Sequence, residues 1–209
     1  MKTPMDYQIR RERPEEYREV ENLTREAFWN VYRPGCTEHY ILHCFRQREE
    51  FVPELDLVME KDGQLIGHVM YARAWIQADD GRRIPAVTFG PISIAPSCQR
   101  KGYGKALVDA SLELARSLGA GVACIEGNPD FYGHSGFVAA KSLGIFPAGE
   151  EREAESPYFL AKELQNDFLK GVTGEYHTPA GYFVDEAEAE RFDEKFLPKE
   201  KKRLPGQLV

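Results

Sequence analysis

The chain has few cysteines. Among its 209 residues there are four, Cys36, Cys44, Cys98 and Cys124, and no two of them form a C-x-x-C pair. They are too few and too scattered for a disulfide scaffold. A reduced protein in the cytoplasm is therefore expected.

Long hydrophobic runs and an excess of positive charge are also lacking. No apolar stretch approaches the roughly 18 residues that span a membrane, and Met1-Lys2-Thr3-Pro4 lacks the apolar core of a secretory leader. We therefore expect no leader and no membrane partner. Basic residues number 27 against 34 acidic residues, a net charge of −7. This balance argues against nucleic acid as a partner, because nucleic-acid binders usually carry a basic surface.

The chain does contain enough apolar residues, 42%, to form the core of a globular domain. Apolar residues recur at helical spacing after Pro14 and again over residues 37–48. Alternating runs then predict an antiparallel meander with strands at 56–61, 64–76 and 84–95. Gly90-Pro91 interrupts the last of these strands, which indicates a bulge or the end of regular pairing.

A glycine-rich turn follows this meander. The strand Ile92-Ser93-Ile94-Ala95 leads into Gln99-Arg100-Lys101-Gly102-Tyr103-Gly104-Lys105, and a helix continues from there. Main-chain N–H groups and the positive end of the helix dipole favour an anion at such a turn. Two glycines allow close approach, and three cations add positive charge. The turn predicts a site for a phosphate group.

Two nucleotide-binding patterns do not fit this turn. A Walker loop requires glycine where Gln99 stands and serine or threonine where Ala106 stands. A dinucleotide-binding turn requires glycine or alanine where Leu107 stands, and no parallel βαβ unit precedes it. A plain tight turn before a helix is the remaining alternative to a phosphate site.

The Q-x-x-G-x-G pattern between a strand and a helix resembles that of the GNAT superfamily of acyl-CoA-dependent N-acyltransferases. A second segment agrees in order and separation: a buried strand at 122–126, then Asn128, Tyr132 and finally Gly136-Phe137 entering the next strand. The resemblance covers approximately residues 7–164. It implies an α+β fold with a mixed, mostly antiparallel sheet of six or seven strands, helices on both faces and splayed central strands.

The resemblance also implies where acetyl-CoA binds. In such proteins the pantetheine arm lies against the splayed strand, here through main-chain groups of Ile92, Ser93 and Ile94. The pyrophosphate is held by the turn formed of Gln99, Arg100, Lys101, Gly102, Tyr103, Gly104 and Lys105. Asn128 stands where the family often contacts the CoA arm.

The reaction implied is direct attack of an amine on the thioester in a ternary complex. Tyr132 matches the family's general acid, which protonates the departing thiolate; the alternative is a packing aromatic. Glu126, at the end of its strand, is our candidate base, with a solvated or structurally bonded carboxylate as the alternative. The main-chain N–H of Ile94 or its neighbour would hold the oxyanion.

A non-catalytic acyl-CoA-binding regulatory module is the competing function. No metal is expected. Cys36, His39 and His43 share one side of a predicted helix, but at most three ligands converge there, so an ordinary exposed histidine pair is the interpretation we favour over zinc.

We expect an acetyltransferase domain over residues 1–165 and a C-terminal appendage over 166–209 packed on it. The acceptor, a small-molecule amine or a protein amine, and the length of the acyl chain stay open. A homodimer is compatible with the resemblance.

Overall fold

In the computed structural model, residues 6–208 are described; Met1–Pro4, on which the expectation of no leader rests, lie outside them. One sheet of nine strands organises the chain, with helices on both faces. The strands are β1 Gln8–Arg11, β2 Leu57–Lys61, β3 Gln64–Ala78, β4 Arg83–Ile94, β5 Val122–Glu126, β6 Val138–Ala139, β7 Ile145–Pro147, β8 Phe159–Glu163 and β9 Gly174–His177. The helices are α1 Tyr17–Phe28, α2 Glu38–Phe45, α3 Tyr103–Ser117, α4 Pro129–Tyr132 and α5 Glu186–Asp193.

The strand order is β1-β2-β3-β4-β5-β8-β6, and β9 pairs with both β3 and β7. All pairs are antiparallel except β4 with β5 and β7 with β9. The mixed, mostly antiparallel α+β fold is confirmed. The expected six or seven strands are corrected to nine, because the short β7 and the C-terminal β9 add to the sheet.

The two faces of the sheet carry different cores. Leu107, Val108 and Leu112 of α3 pack with odd-numbered residues of β3 such as Val69 and Tyr71. From Met70 onward, the even-numbered residues of β3 point to the other face, where α1, α2 and the C-terminal residues lie. We call the first the α3 face and the second the α1/α2 face.

A β-bulge in β4 lies at Gly90-Pro91. Tyr71 is opposite Phe89 and Val69 is opposite Ile92, so two residues of β4 stand across from Met70 alone. The extra residue shifts the alternation by one. Phe89 and Ile92 therefore both turn toward the α3 face, although they differ in parity.

The C-terminal residues are joined to this sheet. Trp75 of β3 pairs with His177 of β9, and Arg25 of α1 forms two hydrogen bonds with Asp193 of α5, at 2.6 and 3.0 Å. The boundary between residues 165 and 166 stays a prediction. Within residues 6–208, none of the helices is long and apolar enough to cross a membrane.

Candidate active site

Strands β4 and β5 separate at the centre of the sheet. Their only pair in the described chain is Val87 with Ala123, after which β4 continues for seven residues. The N–H of Ala95 donates to the Ile66 carbonyl at 2.8 Å. Because antiparallel pairing alternates, the main-chain groups of Ile92 and Ile94 face the opening between β4 and β5.

Ser93 differs from the two isoleucines. Its position opposite His68 directs its main-chain groups toward β3, and its hydroxyl lies 2.8 Å from that of Thr24 in α1. The prediction that Ser93 offers main-chain hydrogen bonds to pantetheine is therefore corrected. Ile92 and Ile94 keep that predicted role, through groups that face the opening.

The turn after β4 presents unpaired main-chain donors at the start of α3. Within residues 6–208, the N–H groups of residues 100–105 donate no hydrogen bond, and Ala106 makes the first one, to the Gly102 carbonyl at 3.0 Å. Arg100 and Gly102 adopt positive φ angles of 59° and 87°. Gln99 closes the turn by donating from Nε2 to the Ile94 carbonyl at 3.1 Å. Six consecutive free donors at a helix N-terminus suit a pyrophosphate.

Most side chains of this turn have other partners. The Nζ of Lys101 donates to the Ser97 carbonyl at 2.8 Å, and that of Lys105 pairs with Asp109 at 2.5 Å. The Tyr103 hydroxyl donates to Asp6. An anion at the turn would thus meet main-chain donors first, with Arg100 exposed beside them.

Tyr132 lies at the end of α4 in an aromatic cluster. Its ring is 5.8 Å from those of Phe89 and Phe137 and 4.8 Å from that of Phe131. Its hydroxyl makes no hydrogen bond to another described side chain or main-chain group, and burial raises the pKa of Tyr132. The phenol therefore keeps its proton at neutral pH, and the raised pKa makes it a weaker acid than an exposed tyrosine.

Asn128 caps α4. Its side-chain oxygen accepts from the N–H of Asp130 at 2.8 Å, and its amide nitrogen keeps both N–H donors for the contact with CoA that we predict. Pro129 occupies the first helical position, which suits the fixed φ of proline. The cap and the proline start this short helix and bring Tyr132 beside β5.

Glu126 and Tyr132 lie on opposite sides of the sheet. Glu126 alternates with Ile125, which packs on the α3 face, so its exposed side chain points to the α1/α2 face. There it accepts from the Thr178 hydroxyl at 3.3 Å. Tyr132 packs against the core of the α3 face. A carboxylate and a phenol thus lie on either side of the opening.

A family model for the Acetyltransferase (GNAT) family matches residues 17–137, more than half of the chain. The chain belongs to the GNAT family. The matched GNAT region begins at α1 and ends at Phe137, and so contains the opening, the turn, Glu126 and Tyr132.

Solved GNAT structures share the fold. The N-acetyltransferase YhbS of Escherichia coli, in complex with CoA, superposes with a TM-score of 0.74 at 22% identity, covering 87% of this chain and 94% of that one. A GNAT acetyltransferase of Brucella melitensis, in complex with acetyl-CoA, gives 0.67 at 25% identity, covering 85% and 98%. The curated uncharacterized N-acetyltransferase YjhQ of Escherichia coli strain K12 is 24% identical over 96 residues. That match spans 46% of this chain and only about half (52%) of YjhQ.

The predicted histidine pair is not an exposed pair in this GNAT chain. His39 is buried, with Nδ1 3.4 Å from the Cys36 sulfur and Nε2 3.1 Å from Asp193. His43 instead pairs with Glu21 at 2.9 Å. The two rings have different partners because α5, which sequence reasoning did not place here, packs against α2.

A second polar cluster lies buried between β1, β2 and β3. Nε2 of His68 is 2.7 Å from Asp56 and 3.9 Å from Glu12, whose other oxygen accepts from Arg46 at 2.7 Å. One carboxylate oxygen each of Glu12 and Asp56 and one ring nitrogen of His68 lie within 4.8 Å of one another. Burial raises the pKa of Glu12 to about 8 and lowers that of His68 to about 4. A proton shared between the carboxyl groups of Glu12 and Asp56 accounts for the Glu12 oxygen that otherwise lacks a hydrogen-bond partner.

Sequence reasoning missed the C-terminal residues at the opening. The Tyr182 hydroxyl donates to the Gly90 carbonyl at 3.0 Å, and Thr178 contacts Glu126. No local pattern around residues 178–182 marks them as part of a site. Only their position on the sheet does so.

Proposed function

We propose that this GNAT chain is an N-acetyltransferase that moves the acetyl group of acetyl-CoA directly to an amine. The opening between β4 and β5 carries this proposal, together with the free donors of residues 100–105 at its end. The opening offers main-chain groups to an amide-containing arm, and the turn at its end offers N–H donors to a pyrophosphate. CoA is a ligand with both parts in that order.

The proposed step forms one bond and breaks one. The amine nitrogen attacks the thioester carbon, and the carbonyl electrons move onto oxygen, where the Ile94 N–H would stabilise them. When the carbonyl re-forms, the carbon–sulfur bond breaks and its electron pair leaves on sulfur. The products are the N-acetyl amine and CoA, and no covalent enzyme intermediate is required.

Two protons move in this scheme, on opposite sides of the opening. Glu126 takes a proton from the amine on the α1/α2 face, directly or through water. Tyr132 gives its proton to the thiolate, a role supported by a protonated phenol whose hydroxyl has no other partner within residues 6–208. Glu126 and Tyr132 lie on different faces of the sheet. This placement favours one group as the base and the other as the acid, because the amine and the thiolate would lie on either side of the acetyl carbon.

The acceptor is an amine that approaches from the α1/α2 face, where Glu126 and Thr178 supply polar groups. A small-molecule amine and a protein amine both satisfy this chemistry. We also propose a cytoplasmic location, which the four free cysteines support. A homodimer stays a prediction from the family resemblance.

The proposed function is tested by calorimetric titration of acetyl-CoA into the wild type and into Gly102→Glu. A carboxylate here would stand among the free donors and repel the pyrophosphate. We expect acetyl-CoA affinity to fall about 100-fold, since like charges in contact cost several kcal/mol. Acetyl transfer is then measured as thiol release with spermidine and with a peptide that has a free N-terminal amine.

Gly119→Glu is the matched control. Gly102 and Gly119 flank the two ends of α3 with φ of 87° and 95°, and a Cβ meets nothing within 4 Å at either. Both substitutions therefore carry the same backbone cost, about 1–2 kcal/mol. Equal acetyl-CoA binding by the two variants contradicts the phosphate site. A folded wild type that binds acetyl-CoA but acetylates neither amine directs the search to other amines, and one that does not bind it refutes the function.

A further inference from the structure

Residues 178–182, which we call the C-terminal bridge, cross the α1/α2 face of the sheet after β9. At one end Thr178 donates its hydroxyl to Glu126 at the end of β5. At the other end the Tyr182 hydroxyl donates to the carbonyl of Gly90 in β4 at 3.0 Å. The bridge is thus bonded to both central strands.

Both attachment points lie beyond the last pair of β4 with β5. That pair is Val87 with Ala123, and Gly90 and Glu126 each follow it by three residues. Ladder hydrogen bonds no longer hold the two strands together at this level. The bridge therefore supplies a connection across the opening where the sheet itself supplies none.

The bridge is tightly packed beneath α2. The ring of Tyr182 lies 4.7 Å from that of Phe45. A Cβ added to Gly181 would come within 2.6 Å of the Phe45 ring and 2.7 Å of the Arg48 side chain. Only glycine fits at this position, so the path of the chain at Tyr182 is closely defined by α2.

The carbonyl that Tyr182 holds belongs to the bulge of β4. Gly90 precedes Ile92 by two residues, and the main-chain groups of Ile92 and Ile94 face the opening. The orientation of the Gly90 peptide sets the course of β4 into that stretch. A donor fixed by α2 therefore acts on the strand that would bind pantetheine.

We propose that Tyr182 is a positioning residue for acetyl-CoA: through the Gly90 carbonyl it holds β4 in the geometry that binds the pantetheine arm. This inference rests on the proposed function. It also gives the C-terminal residues a part in the site.

The test is Tyr182→Phe, which keeps the ring against Phe45 and removes only the hydroxyl. We expect acetyl-CoA to bind about 5-fold more weakly, the loss that corresponds to one neutral hydrogen bond. Adenosine 3′-phosphate 5′-diphosphate, which contains the pyrophosphate but no pantetheine arm, is expected to bind the variant and the wild type equally. A general loss of structure would instead weaken both ligands.

Tyr40→Phe is the matched control. The Tyr40 hydroxyl also joins a C-terminal residue to α2, by donating to Glu188 at 3.0 Å, but its partner lies on α5 and not on β4. This variant is expected to bind acetyl-CoA as the wild type does, because the hydrogen bond it loses touches neither β4 nor β5. Unchanged acetyl-CoA affinity in Tyr182→Phe, or equal weakening of both ligands, overturns the inference while the proposed function stands. A wild type that binds neither ligand refutes both.

Discussion

The buried ion pair between α1 and α5 makes a quantitative prediction about stability. The side chain of Arg25 is 1% exposed, and both of its hydrogen bonds to a carboxylate go to Asp193, which is 16% exposed. Asp193→Ala removes that carboxylate and leaves a buried guanidinium. Removal of one partner of a buried pair costs about 3–5 kcal/mol. We expect the lower end, about 3 kcal/mol, because Arg25 keeps the Glu26 carboxylate at 3.9 Å and the Trp29 ring at 4.2 Å.

Urea denaturation followed by circular dichroism measures this loss in the free energy of unfolding. For a protein of this size about 3 kcal/mol corresponds to a fall in Tm of about 6–12 °C. Glu190→Ala is the control, because Glu190 lies on the same helix, is 69% exposed and pairs with Lys201. An exposed pair contributes at most about 1 kcal/mol. If Asp193→Ala and Glu190→Ala unfold at the same urea concentration, the Arg25 pair does not stabilise the fold as argued.

Two further predictions concern the site and the buried cluster. Tyr132→Phe is expected to lower kcat about 100-fold or more, the usual contribution of a general acid. Its affinity for acetyl-CoA, measured by calorimetry, is expected to stay unchanged. An unchanged kcat would show that Tyr132 takes no part in catalysis. Because the pKa of Glu12 in the folded protein, about 8, lies above its ordinary 4.5, its stabilising effect is complete below about pH 4.5 and is lost as pH rises through 8. Glu12→Gln should therefore reduce the fall in Tm between pH 6 and pH 8.5, and an identical pH profile would show that Glu12 does not titrate there.

Features built from consecutive residues were predictable from the sequence. The glycine-rich turn needs only a strand, residues 99–105 and a helix in succession, and its free N–H groups follow from the geometry of any helix start. Asp185, a residue type that often caps helices, caps α5 by accepting from the N–H of Glu188. Asp62-Gly63, a dipeptide typical of hairpin turns, forms the tight turn between β2 and β3. Such local structures depend on the conformational preferences of a few neighbouring residues.

Contacts between distant residues were decided only by the tertiary structure. Gly90 and Tyr182 are separated by 92 positions in the sequence, and no sequence pattern relates the two residues. Their contact requires the bulge in β4, the pairing of β9 with β3 and the packing of residue 181 under α2. A shift of one residue in any strand turns its side chains to the opposite face. The sequence by itself therefore determined the family, the glycine-rich turn and a candidate acid, whereas the register of the sheet decided which side chains surround the opening.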